Sequence, residues 1–332
     1  MSELPRGALL SGTLFALAAG LMWGLVFVAP LLLPAYPPAL LSTARYLAFG
    51  LIALPLAFLD RARLRELSRA DWIAALKLAL VGNLLYYLFL AAAIQRAGGP
   101  LPTVIIGTLP VVIAIASNLR DARRDGHLPW RRLAPSLLLI AIGIALVNDA
   151  ELQRLRAAQS VDVGRYVLGA LLAVGAVACW TWYPLRNADW LRAHPDRSPR
   201  VWATAQGVAT LPLAASGLAL VWAWFGLSGD GFDMPFGPEP QRFIAAMLAL
   251  GLLASWLGGT CWNEASQRLP TALAGQLIVF ETAAALAYAF LLRASAPPAT
   301  TLAGVALLIA GVIWALRVKP EPLPEASAGA PH

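Results

Sequence analysis

The chain has 332 residues, 59% hydrophobic and 13% charged, with a mean hydropathy of +0.68; that composition excludes an ordinary soluble domain and defines a polytopic membrane protein. A formal net charge of +7 would point to nucleic acid in a soluble chain, but here the arginines lie between apolar runs, where topology accounts for them and no nucleic-acid partner is expected. Cys179 and Cys261 fall in apolar runs, so no disulfide framework is implied, and His127, His194 and His332 lie outside such runs, which excludes a histidine relay within the membrane.

The first apolar run follows Arg6 and is far longer than a signal-peptide core of roughly 7 to 15 residues, so it reads as a retained span. Uncharged stretches then recur, predicting ten transmembrane helices at about 8–33, 38–59, 71–94, 100–119, 133–148, 165–185, 201–225, 243–263, 270–292 and 299–317. Turn residues mark the breaks, among them Pro34, Pro37 and Pro38, then Gly98, Gly99 and Pro100, then Pro297 and Pro298. With the N-terminus placed in the cytoplasm, the inside segments hold 17 basic residues and the outside segments 6, so both termini are expected to be cytoplasmic. Residues 320–332 read as a disordered cytoplasmic tail.

A constant offset of 157 brings Gly7 onto Gly164, Trp23 onto Trp180, Gly50 onto Gly207, and the string LPLA at 54–57 onto LPLA at 211–214. After a longer loop the match resumes, with Gln95-Arg96 falling on Gln267-Arg268. The halves, 1–150 and 160–319, would each hold five spans, an odd number, and so sit in the membrane with opposite orientation. The expected fold is an all-α integral membrane protein with ten transmembrane helices as two inverted five-helix repeats (5+5). Such repeats are a transporter signature and place a substrate site near the midplane, between the halves.

These residues resemble a known family. AAGLMWGLVF opening the first half, AVGAVACWTW opening the second and ARYLAFGLIALP in the second span are similar to the EamA-type branch of the drug/metabolite transporter superfamily. LVGNLLYYLFLAAAIQRAG, IIGTLPVVI, VWATAQ and LIVFET resemble more specifically its bacterial YtfF-type subgroup. The resemblance covers nearly the whole chain up to the tail. It implies a transporter of the bacterial cytoplasmic (inner) membrane that exports a small metabolite, such as an amino acid or derivative, by alternating access. Some relatives move lipid-linked head groups, so a flippase for a lipid or lipid-linked head group is the alternative. One departure stands out: Pro110, in GTLP, has no proline counterpart in the ninth span, where the repeat sets Glu281 or Thr282.

Glu281 is a lone carboxylate in the uncharged run 269–292. Ionisable groups inside spans face a cavity or a partner, which makes Glu281 a candidate for substrate binding and for coupling to protons. On a helix it shares a side with Ala274, Leu277, Ile278, Ala284, Ala285 and Tyr288; small residues there leave room either for a ligand or for a neighbouring helix. Arg45 lies at a depth differing by only about 5 Å in a 30 Å core. An ion pair or a shared substrate clamp between the two is therefore expected, a purely structural tie being the plainer alternative. Mixed polar and aromatic stripes add Asn83, Tyr86 and Tyr87 on the third span, Thr103 and Pro110 on the fourth, and Trp256, Gly259, Thr260 and Asn263 on the eighth. Trp23 and Trp180 are expected near the outer and inner vestibules respectively, since their spans run in opposite directions. Lys77, about two turns inside its span, can snorkel to the head groups.

Lys77 and Lys319 are the only lysines and neither follows a glycine-rich loop, so the chain carries no ATP-binding P-loop. No HExxH, cysteine cluster, nucleophile elbow or filter-like segment appears, which leaves enzyme, metal, cofactor and channel readings without support. The expected partners are a small-molecule metabolite, membrane lipids and protons, with the chain acting as a monomer or homodimer.

Overall fold

The computed structural model describes residues 6–97, 100–120, 129–157, 163–229, 231–292, 294, 296–318 and 321, and its regular structure is helical. The first half begins with α1 (Arg6–Leu32), α2 (Pro38–Leu59), the single turn α3 (Arg61–Leu64), and α4 (Arg69–Leu78), which a π-helical turn at Ala79–Leu85 joins to α5 (Tyr86–Ala97). Next come α6 (Pro100–Gly107), α7 (Leu109–Arg120) and α8 (Trp130–Ala157). α9 (Val163–Ala193), α10 (Pro199–Ser228) and α11 (Pro240–Ala249) follow, and a second π turn at Leu250–Leu257 leads into α12 (Gly258–Arg268). The described chain closes with α13 (Thr271–Leu277), α14 (Val279–Leu292) and α15 (Ala299–Leu316). Seven helical runs are long and apolar enough to cross a bilayer, with shorter apolar helices beside them. The tail expectation, residues 320–332, lies outside the described residues apart from Glu321.

Local chemistry explains where these helices start. Prolines occupy the first turn of α2, α10 and α11, where a missing N–H costs no helical bond. α4 opens on a capping box, with Asp71 N donating to Ser68 Oγ at 3.2 Å and Ser68 N to Asp71 Oδ2 at 2.8 Å. Several helices outrun the apolar segments that announce them. The fifth predicted span, 133–148, is the middle of the 28-residue α8, and the sixth, 165–185, continues to Ala193 through Arg186, Asp189 and Arg192. Hydropathy marks the part of a helix in lipid, whereas backbone bonding continues wherever no breaker intervenes.

Two irregularities recur at matched places. The π turns at Ala79–Leu85 and Leu250–Leu257 coincide to within a residue at offset 172, the spacing that superposes Gln95 on Gln267. The breaks between α6 and α7 and between α13 and α14 carry the same shortened bonds at offset 170. Thr108 N donates to Ile105 O and Val111 N to Thr108 O; likewise Ile278 N donates to Gly275 O and Glu281 N to Ile278 O. Pro110 accounts for the first break, because it lacks the N–H that would continue the α-helical ladder. These bonds set Val111 opposite Glu281 and Pro110 opposite Phe280, one residue from the sequence alignment of this span.

Packing is also reciprocal. A side chain at Gly50 would lie 2.8 Å from Leu211, and one at Gly207 would lie 2.6 Å from Ala53, so α2 and α10 approach through equivalent glycines. α1 runs along α12 and α14, α5 along α9, and α8 along α15. Large apolar side chains cover the outside, as at Leu227, 88% exposed, and Leu220, 71% exposed, the arrangement of a surface solvated by lipid.

Candidate functional site

Six of these helices and both π turns converge on one pocket. Arg45 and Tyr46 come from α2, Asn83 from the first π turn, Tyr86 from the start of α5, Trp180 and Tyr183 from α9, and Trp23 and Val26 from α1. Ala254 and Ser255 come from the second π turn, Gly259 from α12 and Glu281 from the first turn of α14. Together they line a small cavity of about 20 Å³, room for about one water, so a larger molecule enters only when the helices part. Each π turn widens its helix by one residue and so turns a polar side chain, Asn83 or Ser255, toward the same space.

The two ionisable side chains are held apart. Glu281 is 1% exposed; its Oε1 accepts from the Tyr86 hydroxyl at 3.4 Å, and its Oε2 has no hydrogen-bond partner. Arg45 is 3% exposed, and its Nε donates to Ser255 Oγ at 3.2 Å. Its guanidinium lies 4.5 Å from the Tyr87 ring centroid and 4.7 Å from that of Tyr46, in cation–π contact with both. Arg45 Nη1 has no partner. Among the described residues no ion pair within 4.0 Å joins Arg45 to Glu281. The direct-pair form of the expectation therefore does not occur here: two aromatic rings and a serine retain the guanidinium on its own side of the pocket.

Aromatic rings form a third wall. Trp180 stacks between Tyr86 and Tyr183, with centroids 4.8 Å away on either side, and Trp23 meets Trp180 edge-on at 4.9 Å. Trp23 and Trp180 thus converge on one point instead of separating toward two vestibules, because both rings pack into the wall of the same pocket. Trp23 Nε1 donates to Ala254 O at 2.8 Å, while Trp180 Nε1 has no partner.

A buried polar chain leaves the pocket toward the Arg197 end of the bundle. Tyr183 OH donates to Gln206 Oε1 at 3.0 Å; Gln206 Nε2 at 3.0 Å and Trp202 Nε1 at 2.9 Å both donate to Asn187 Oδ1. Asn187 Nδ2 then donates to Asn263 Oδ1 at 2.8 Å, and Asn263 Nδ2 to Pro199 O at 3.2 Å. Every member is satisfied by another, which fixes α9, α10 and α12 against one another.

Of the residues singled out from sequence, Glu281, Arg45, Trp23, Asn83, Tyr86, Trp180 and Gly259 line the pocket. Tyr87 sits just behind, under the guanidinium, with its hydroxyl donating to Val26 O at 3.3 Å. Thr103 and Pro110, on α6 and α7, are not among the lining residues. Trp256 turns to α10, donating to Thr204 Oγ1 at 3.2 Å; Thr260 bonds the Trp256 carbonyl at 2.8 Å; Asn263 belongs to the polar chain. Sequence reasoning passes over Val26, Tyr46, Tyr183, Ala254 and Ser255 as pocket residues; the Arg45-Tyr46 pair and a π-turn phase on the eighth span were the available signals. Among the described residues no three His, Cys, Asp or Glu side chains converge as metal ligands.

An acid, a cation and an aromatic wall facing one pocket within a bundle of apolar helices are the features expected of a candidate site in a membrane transport protein. Residues 10–148 match the EamA-like transporter family. Inner membrane protein YtfF of Escherichia coli (strain K12) is 54% identical over 318 residues, spanning 96% of this chain and 98% of that protein. The chain belongs to the EamA-like transporter family and is a multi-pass inner-membrane protein. A solved crystal structure of another protein superposes with a TM-score of 0.68 over 92% of this chain and 96% of that one, at 20% identity, a likeness of fold alone.

Proposed function

We propose that this chain is a secondary transporter that exports a small zwitterionic metabolite, an amino acid or derivative, by alternating access. In this reading ten spans form two inverted five-helix halves, 1–150 and 160–319, with both termini cytoplasmic. The matched π turns, the matched breaks and the reciprocal contacts of α2 with α10 support that arrangement. The observation that carries the substrate reading is the pair of unpartnered, opposite polar atoms on one buried pocket, Arg45 Nη1 and Glu281 Oε2. A buried charge left short of partners is costly, so each is matched to a group that arrives with the substrate. A carboxylate fits Arg45 and an ammonium fits Glu281, while the rings of Trp23, Trp180 and Tyr183 bound its apolar part. Glu281, once the ammonium leaves, is the group at which a proton takes its place.

A thermal-shift screen of purified protein tests this. Amino acids should stabilise the wild type, their amides and decarboxylated amines should do so far less, and Glu281→Gln or Arg45→Gln should sharply reduce the shift. Equal stabilisation of wild type and both variants would sink the reading; a response only to phosphodiester head groups would favour the flippase.

A further inference from the structure

We propose that Gln95 and Gln267 are paired latches, each closing one side of the pocket, and that releasing one or the other selects the face of the membrane to which the site opens. The proposal rests on the alternating-access reading above. Gln95 lies near the end of α5 and Gln267 near the end of α12, equivalent positions at offset 172. Gln95 Nε2 donates to the backbone carbonyl of Tyr36, in the α1–α2 connection, at 2.8 Å. Gln267 Nε2 donates to the backbone carbonyl of Arg197, in the α9–α10 connection, at 3.2 Å. The next residue repeats as well: Arg96 Nη1 donates to Ala92 O at 3.2 Å, and Arg268 Nη1 to Glu264 O at 2.7 Å.

The receiving connections are themselves anchored in matched fashion. The Tyr36 hydroxyl accepts from Glu239 N, before α11, at 2.8 Å, and Arg197 pairs with Glu66, before α4. The side-chain chemistry differs at the two ends, yet both glutamines donate to a main-chain carbonyl, so the bond is independent of what the connection carries.

Their placement gives these bonds a role. α5 packs along α9, whereas α1 packs along α12 and α14. Gln95 reaches from the first group to the end of α1; Gln267 reaches from the second group to the end of α9. Each glutamine therefore bridges the same seam, at opposite ends, and the pocket lies on that seam between them, lined by Trp23 and Glu281 on one side and Tyr86 and Trp180 on the other. Losing one neutral hydrogen bond changes an open-to-closed ratio by about five- to tenfold without undoing the fold; at the Arg197 end, Asn187 Nδ2–Asn263 Oδ1 at 2.8 Å and Arg192 Nη2–Leu269 O at 3.2 Å cross the same seam and must part with the Gln267 bond.

Distance measurements between spin labels on the full chain in liposomes, with Cys179 and Cys261 replaced by serine, test the proposal. Exposed positions flank the seam at each end: Ala35 and Val167 at the Tyr36 end, Leu10 and Ala193 at the Arg197 end. Gln95→Ala should raise the long-distance population of the Ala35/Val167 pair about five- to tenfold and leave the Leu10/Ala193 pair unchanged; Gln267→Ala should do the reverse. Gln→Glu, which keeps size but loses the donor, should act like alanine, whereas Gln→Lys, which keeps a donor, should restore the closed distribution. Opening of both ends by either variant, or no change in either pair, would overturn the latch assignment. A wild type and variants that never show a second distance at either end would overturn alternating access itself, and the latches with it.

Discussion

Trp23 and Trp180 meet edge to face with ring centroids 4.9 Å apart, yet only Trp23 has a partner for its indole N–H, the carbonyl of Ala254 at 2.8 Å. They are equivalent at offset 157, so the two halves contribute the same residue to the pocket in different bonding states.

That inequality predicts unequal costs. Trp23→Phe should destabilise the protein by about 1 kcal/mol, the net worth of one buried hydrogen bond plus some lost ring area, and leave Ala254 O without its side-chain donor. Trp180→Phe forfeits no hydrogen bond and should be milder, within about 0.5 kcal/mol, its stack between Tyr86 and Tyr183 being retained. Unfolding in detergent, followed by circular dichroism, checks the difference.

Glu281→Gln and Arg45→Gln should each weaken ligand binding by about ten- to a hundredfold, the range expected for losing one charge-assisted contact of about 1.5–3 kcal/mol. Because both act on the same ligand, the double variant should lose less than the sum. Calorimetric titration of the ligand found in the stability screen measures all four proteins.

Gly82→Ala should be severely disruptive. A methyl group there would lie 2.1 Å from a ring carbon of Tyr183, across the contact between the first π turn and α9. Overpacking of this kind costs about 1–3 kcal/mol, and Tyr183→Leu, by trimming the ring, should recover part of it. Melting temperatures of the two single variants and the double variant decide the matter.

Asn187→Ala should destabilise by about 3 kcal/mol, since it strands Trp202 Nε1, Gln206 Nε2 and Asn263 Oδ1 in a buried site. Asn187→Asp keeps the acceptor that Trp202 and Gln206 use and should be milder. Denaturant titration in micelles would show the order.

The sequence made the charged members of the site conspicuous for a simple reason: Arg45 and Glu281 interrupt apolar runs, and any such residue must face something polar. Trp23 and Trp180 were legible through their common offset, and the seven membrane-crossing helical runs through their apolar stretches, although not through their full length. Ser255 was not. A period of 3.6 residues groups Trp256, Gly259, Thr260 and Asn263 on one face of the eighth span, but with the π turn at Leu250–Leu257 only Gly259 of these lines the pocket, beside Ser255, while Trp256 turns to α10. The break at Ile278 was hidden for a related reason. Pro110 announces the corresponding break at Thr108, whereas the ninth span bends without a proline.

The separated charges of Arg45 and Glu281 have an electrical consequence. Moving one elementary charge through a membrane potential of 100 mV involves about 2.3 kcal/mol; a zwitterion carries none in net, and the site presents none of its own while Glu281 is ionised, but one positive charge once a proton replaces the ammonium there. Export of the zwitterion alone is then indifferent to voltage, and any transport current counts the protons that move with it. A recording across a planar bilayer would read the stoichiometry of coupling directly, with zero current marking simple facilitated export.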